Sequence, residues 1–294
     1  MPEQFTSSTE GRIYRELGDA LSGMVESFSF TSLAERILSA EGGAAVQTLS
    51  DAGRAVLVRR ALEELQDNVH YYHRHRRSAA FCQMAAQTID ELKSAGRSGQ
   101  QLAQLAGACG AESGKLSELA LIFQGYETLL ARSGMDPSDR LELAGARLEE
   151  ALARHSLPEF LRDRAVFIDE FDTFNAPKKR LLGAMLAALP SVTVARCDDG
   201  APLLPGDLSL FSGAKQVAAQ LRQLARKNGA EVAVPQLLRK DLRHRNAPGL
   251  AAVAELLETG SCTADAPAGE VRLFAAPRRE EAARAAAGAI RRLL

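Results

Sequence analysis

Cysteine is scarce in this chain and poorly placed for chemistry. The four present, Cys82, Cys109, Cys197 and Cys262, lie far apart with no CxxC pair. That excludes a zinc ribbon, an iron–sulfur cluster or a disulfide framework built from this chain, and it fits a reducing compartment. Charge of one sign is lacking too: 36 Lys+Arg stand against 37 Asp+Glu, so the bulk field attracts neither nucleic acid nor membrane, and any such surface must be local. No apolar run approaches the roughly 18–20 residues of a membrane helix, and the amino terminus shows no basic-then-apolar leader. The expectation is a soluble, cytoplasmic protein. A phosphate-cradling loop is also missing. The nearest approach, Gly110 to Ser117 (GAESGKLS), has Cys109 where the loop needs Gly and Leu116 where it needs Ser or Thr. It lies between helical patterns with no strand before it, so Ser113 to Lys115 reads as a turn and helix start. No Ser/His/Asp or Cys/His pattern suggests nucleophilic catalysis.

What is present is organised around Ala165–Asn175, AVFIDEFDTFN. Four apolar residues lead into two carboxylates, the pattern of a fully buried parallel strand ending at a working edge. Asn175 can cap a following helix, Pro177 fits its first turn, and Leu181, Leu182, Met185, Leu186 and Leu189 recur at helical spacing. Ligands in open α/β sheets sit off the carboxyl ends of strands. Asp169 and Glu170 therefore stand where a nucleotide's magnesium and attacking water would be handled.

The rest of the 294 residues divides by pattern. Residues 1–48 have α/β character: a short helix over Ser7 to Leu17, a short strand where Phe28 and Phe30 alternate with serines, and a helix through Leu33, Ile37 and Leu38 stopped by Gly42-Gly43. Residues 49–158 are helical throughout, with a cap at Ser50 and another at Asp136 before Pro137. Residues 159–260 return to strand–helix alternation, with strands at Val166 to Ile168, Val192 to Ala195 and Val232 to Val234, and a long Pro/Gly loop at Asp198 to Gly213. Residues 261–294 read as a linker, a strand at Val271 to Ala275 and the helix of a new unit. The fold class predicted is α/β, a parallel sheet interrupted by an inserted all-α subdomain.

Two basic stretches stand out. His70 to Arg77 (HYYHRHRR) mixes rings and cations as single-stranded nucleic acid requires, but the same residues would serve as the exposed carbonyl end of a helix, where Arg and His complement the dipole. As metal ligands His70, His73 and His75 lack an acidic or Cys partner nearby. Arg239 to Arg245 divides similarly between phosphate contact and solvated face.

The order PEQF, SFTSLAERIL, LSELALIFQGYETLL, VFIDEFDTFNAPKKRLLGAML, VTVARCDD and EVRLFAAPRREEAARAAAGAIRRLL, running from Met1 to Leu294, resembles the amino-terminal helicase-like region of AddB, the B subunit of bacterial ATP-dependent helicase/deoxyribonucleases. The resemblance implies a RecA-like, superfamily-one motor domain interrupted by a helical domain. It implies ATP and Mg²⁺ as cofactors of the intact protein, with Gln4 at the nucleotide and Asp169 and Glu170 at the Walker B position, where in an active relative the Asp holds the metal through water and the Glu polarises the attacking water. It places Phe5, Ser29, Phe30 and Ser32 toward single-stranded DNA. Relatives often carry Gly at the position of Glu170 and Arg at that of Ser32. The implied partners are DNA, as a single strand or duplex end, and an AddA-like helicase/nuclease subunit. The implied setting is double-strand break repair and homologous recombination. The chain is expected to be a fragment, lacking the phosphate loop upstream and the nuclease domain with its iron–sulfur cluster downstream, and for that reason inactive on its own. The alternative is a non-enzymatic pseudo-helicase module that binds DNA or a partner subunit.

Overall fold

The computed structural model describes residues 6–110, 113–238, 244–261, 271 and 274–292, in two units, Met1–Ala233 and Val234–Leu294. The second unit holds α10 (Pro248–Thr259) and α11 (Arg279–Arg291). The first holds two hydrophobic clusters, and the chain passes from one to the other and back.

The chain opens on α1 (Thr6–Ser22), kinked at Gly18, and then on α2 (Phe30–Glu41). The strand expected at Phe28 to Phe30 is absent. Ser29 accepts from the Ser32 amide at 3.0 Å while Ser32 Oγ accepts from the Ser29 amide at 2.8 Å, a reciprocal cap that fixes Phe30 as the first helical residue. Leu33, Ile37 and Leu38 then face inward, and Gly42 stops the helix at φ 92°.

The helical block consists of α3 (Asp51–Glu64), α4 (Ala79–Ser94), α5 (Gly99–Ala106) and α6 (Ser113–Ser133). Ser50, Ser78 and Ser98 each cap the helix that follows by accepting a backbone amide. The core of the block is Val58, Leu62, Cys82, Ile89, Ile122, Phe123 and Tyr126, all nearly inaccessible. The block's entry and exit meet. Thr48 and Met135 form an isolated parallel bridge, Leu49 N donating to Met135 O at 2.9 Å and Met135 N to Gln47 O at 3.0 Å. Gly134 sits at this closure with φ +152°, and a Cβ there would stand 2.7 Å from Gln47 O. Only glycine fits that approach.

Helix α7 (Pro137–Ala153) continues the helical pattern in sequence but packs on α2 and on α8 (Ala176–Ala188), in the second cluster. Arg140 of α7 pairs with Glu35 of α2 and also donates to Val46 O and Ala44 O at 2.6 and 3.2 Å, tying down the loop that leads to the block. Asp136 occupies the N-cap position of α7, yet its side chain does not cap. It is buried, accepting from Tyr126 Oη at 2.6 Å and Lys93 Nζ at 2.9 Å, while Lys93 also reaches Asp139 at 2.6 Å. A buried carboxylate is better satisfied by a cation and a hydroxyl than by one amide at a helix end.

Strands β1 (Ala165–Ile168) and β2 (Ser191–Val194) pair in parallel, Ala165 with Ser191 through Ile168 with Val194, joined by α8 and followed by α9 (Ser212–Lys227). The expectation that β1 is fully buried is wrong. Ile168 is inside, but Phe167 is 73% exposed and Ala165 is exposed, because α8 and α9 cover one face and nothing among the described residues covers the other. Val232 to Val234 forms no strand; Pro235 follows directly and has no amide to donate. The strand predicted at Val271 to Ala275 falls partly outside the described residues, and Val271, Phe274 and Ala275 are in no strand.

Candidate nucleotide and DNA site

The acidic pair lies at the carboxyl end of β1, as its sequence predicts. Ala195 N donates to Ile168 O at 2.8 Å, so pairing continues to the last residue of β1 before the chain turns. Glu170 makes the turn at φ 63°, a left-handed conformation unusual for a residue with a side chain. The Asp169 carboxylate stabilises it by accepting the Glu170 amide at 2.9 Å. One oxygen of Asp169 is thus committed locally, and both side chains are exposed to solvent. Exposed carboxylates are donors of the kind Mg²⁺ takes one or two at a time, its remaining ligands coming from water and phosphate.

Behind the acids the turn is fixed by aromatic packing. Phe171 and Phe174 stand 5.0 and 6.1 Å from Phe30, both edge-on, and 5.8 Å from each other. Lys178, in the first turn of α8, sets its ammonium over the rings of Phe30 and Phe171 at 5.5 and 5.1 Å. Burial lowers its pKa. Asn175 caps α8, accepting the Lys178 amide at 3.1 Å. The turn after β1 and the start of α2 are therefore one packed unit, joining two segments that sequence assigns separately to nucleotide and DNA.

The residues assigned to DNA do not all reach solvent. Ser29 is 5% and Phe30 8% exposed, with the serine bound into the α2 cap and the ring in the core. Both position the start of α2, and Ser32 is the one of the three at the surface. Gln4 and Phe5 lie outside the described residues, as do residues 239–243 of the second basic stretch.

Sequence reasoning missed three cations at this edge. Arg196 lies two residues past β2, as Glu170 lies two past β1, and its Nη2 is buried without a partner among the described residues. Burial lowers its pKa, and Arg222 adds to that, against the pull of Asp198 and Asp172. Lys215 of α9 is buried and clamps the long loop, reaching Asp199 at 2.9 Å, Ser209 at 3.3 Å and Asp207 at 3.4 Å. Lys178 is the third. Each is a single cation set by the folded chain, Lys178 by the ring of Phe30, Lys215 by the loop it clamps and Arg196 by burial, and no spacing rule marks it.

Residues 1–254 match the family described as ADDB, N-terminal. Curated relatives named as the B subunit of an ATP-dependent helicase/deoxyribonuclease are similar over most of the chain. That of Desulforudis audaxviator is 33% identical over 303 residues, covering all of this chain and 25% of the relative. That of Symbiobacterium thermophilum is 32% identical over 316 residues, again all of this chain and 26% of the relative. That of Clostridium perfringens is 27% identical over 248 residues, 83% of this chain and 21% of the relative. The chain spans about a quarter of the length of such relatives, and it belongs to the AddB N-terminal family.

Proposed function

We propose that this chain serves the ATP-dependent helicase/deoxyribonuclease activity named in its relatives, as the helicase-like region of an AddB-type subunit acting on DNA ends in double-strand break repair and recombination alongside an AddA-like partner. In this reading the two-stranded sheet belongs to a RecA-like motor. Mg·ATP supplies the phosphoryl group and the metal charge. Asp169 would hold the metal, and Glu170, turned outward by its left-handed backbone, would orient the attacking water. The start of α2 presents Ser32 toward DNA. The observation that supports this most is the packing of Phe30 of α2 on Phe171 and Phe174 beside the acids.

A second reading is a pseudo-helicase that binds DNA without turnover, and it draws on one specific observation: an oxygen of Asp169 is already committed to the Glu170 amide at 2.9 Å. Titration calorimetry of Mg·ATP into the chain, alongside single-stranded oligonucleotide binding, separates the two. The first reading expects Mg·ATP binding that Asp169→Asn abolishes. Oligonucleotide binding without nucleotide binding favours the second, and binding of neither removes both.

A further inference from the structure

The basic, aromatic stretch His70 to Arg77 is not the end of a helix. α3 stops at Glu64, and the stretch holds only a single 3-10 turn, His73–His75, too short for a macrodipole, before it runs into the amino terminus of α4, whose cap is Ser78. Cations at that end oppose the helix dipole rather than complement it, so the dipole does not account for them. They are not balanced by acids either. His70 to Arg77 contains three Arg and three His with no Asp or Glu, and among the described residues Arg74, Arg76 and Arg77 form no ion pair.

The loop is nevertheless built rather than loose. Three consecutive amides point at one carboxylate: His70 N and Tyr71 N donate to Glu118 at 2.8 Å each, and Tyr72 N at 3.1 Å. Tyr72 packs on Phe81 at 5.2 Å and His75 stacks on the same ring at 5.6 Å. Tyr71 is left outside, 55% exposed, T-shaped to Tyr72 at 5.0 Å, with Lys115 Nζ over its ring at 5.3 Å from the centroid. The result is an exposed ring on a fixed backbone, with a lysine over one face and the other left for a base, followed by arginines without carboxylate partners. A duplex hides the faces of its bases; a single strand offers base faces and phosphates together.

We propose that this loop of the helical block is a binding site for single-stranded DNA, with a base stacked on Tyr71 and backbone phosphates held by Arg74 and Arg77. It rests on the reading that the chain handles DNA and names a second contact, separate from the α2 start. Glu118 is a positioning residue, holding the loop without touching the ligand.

The test is fluorescence anisotropy of a labelled oligo-dT strand with the chain, over a range of salt concentrations. Tyr71→Ala lowers affinity about tenfold and leaves the salt dependence unchanged, while Tyr71→Phe binds as wild type. The double variant Arg74→Gln, Arg77→Gln flattens the slope of log K against log salt by about 1.4, twice the roughly 0.7 per phosphate contact of a single strand. All three side chains are at the surface, so thermal melts of the variants should overlay wild type. Wild-type affinity in every variant, with the oligonucleotide still bound, overturns this site while leaving the DNA reading intact. So does binding of a duplex as tightly as the single strand. No oligonucleotide binding by wild type overturns both.

Discussion

The helical block and the sheet cluster are both built on buried leucine, alanine and aromatic side chains but are closed to different degrees. In the block, four helices surround Phe123 and Tyr126 on every side, and the Thr48–Met135 bridge fastens the chain where it enters and leaves. In the sheet cluster, α8 and α9 cover one side of two strands, α2 and α7 pack behind α8, and Phe167 faces solvent. A two-stranded sheet holds only as well as the helices packed on it. The block carries its stability within itself, whereas the sheet lends rigidity to the acidic turn on one side only.

Substitutions at corresponding depth sharpen this contrast. Phe123→Ala is expected to cost about 3–5 kcal/mol in denaturant melts, since its site cannot collapse, while Phe167→Ala costs about 0.5 kcal/mol or less. Equal losses would break the distinction. Asp136→Ala cuts the network joining the block to α7, leaving Lys93 with Asp139 alone and the Tyr126 hydroxyl unsatisfied; about 3 kcal/mol should be lost. Gly134→Ala forces a Cβ against Gln47 O at the bridge, and a loss of about 1–3 kcal/mol is expected, visible as earlier proteolysis at residues 47–49 and 134–135.

A smaller effect than those in the core concerns the Tyr71 loop. Burial alone would raise the pKa of Glu118, but the amides of Tyr71, Tyr72 and His70 outweigh it and hold the value below 4.5. A carboxylate lowered in the folded state contributes stability above its unfolded pKa and loses it as pH falls through the folded value. The loop should therefore stay fixed at neutral pH and loosen only in acid below about pH 4.5. Glu118→Gln should cost about 1 kcal/mol at pH 7, and its melting temperature should converge with that of wild type as the pH is lowered.

Much of the helical block was legible because its helices announce themselves locally. Ser50 caps α3 and Asn175 caps α8 as predicted, and the inward positions Val58, Leu62, Ile89, Ile122 and Tyr126 keep the spacing of one helix face. What sequence could not supply depends on partners far along the chain. Phe28 and Phe30 alternate with serines like a strand, but a Ser–Ser reciprocal cap decided for helix. Asp136 has the sequence of a cap, yet Lys93, 43 residues away, claims its carboxylate. The apolar run before Asp169 gave the strand and its direction but not how many faces would be covered. The acidic pair was readable for the same reason, since a strand tip is a local event. The cations around it, Lys178, Arg196 and Lys215, are placed by folding alone.

Hydrogen exchange resolved by segment, with and without Mg·ATP, tests the central claim most directly. The account predicts that amides of α3, α4 and α6 exchange slowest, that β1 and β2 exchange at least about 10²-fold faster, and that Mg·ATP slows exchange in the turn from Asp169 to Phe174. Uniform protection across both regions, with that turn unchanged by nucleotide, would contradict it.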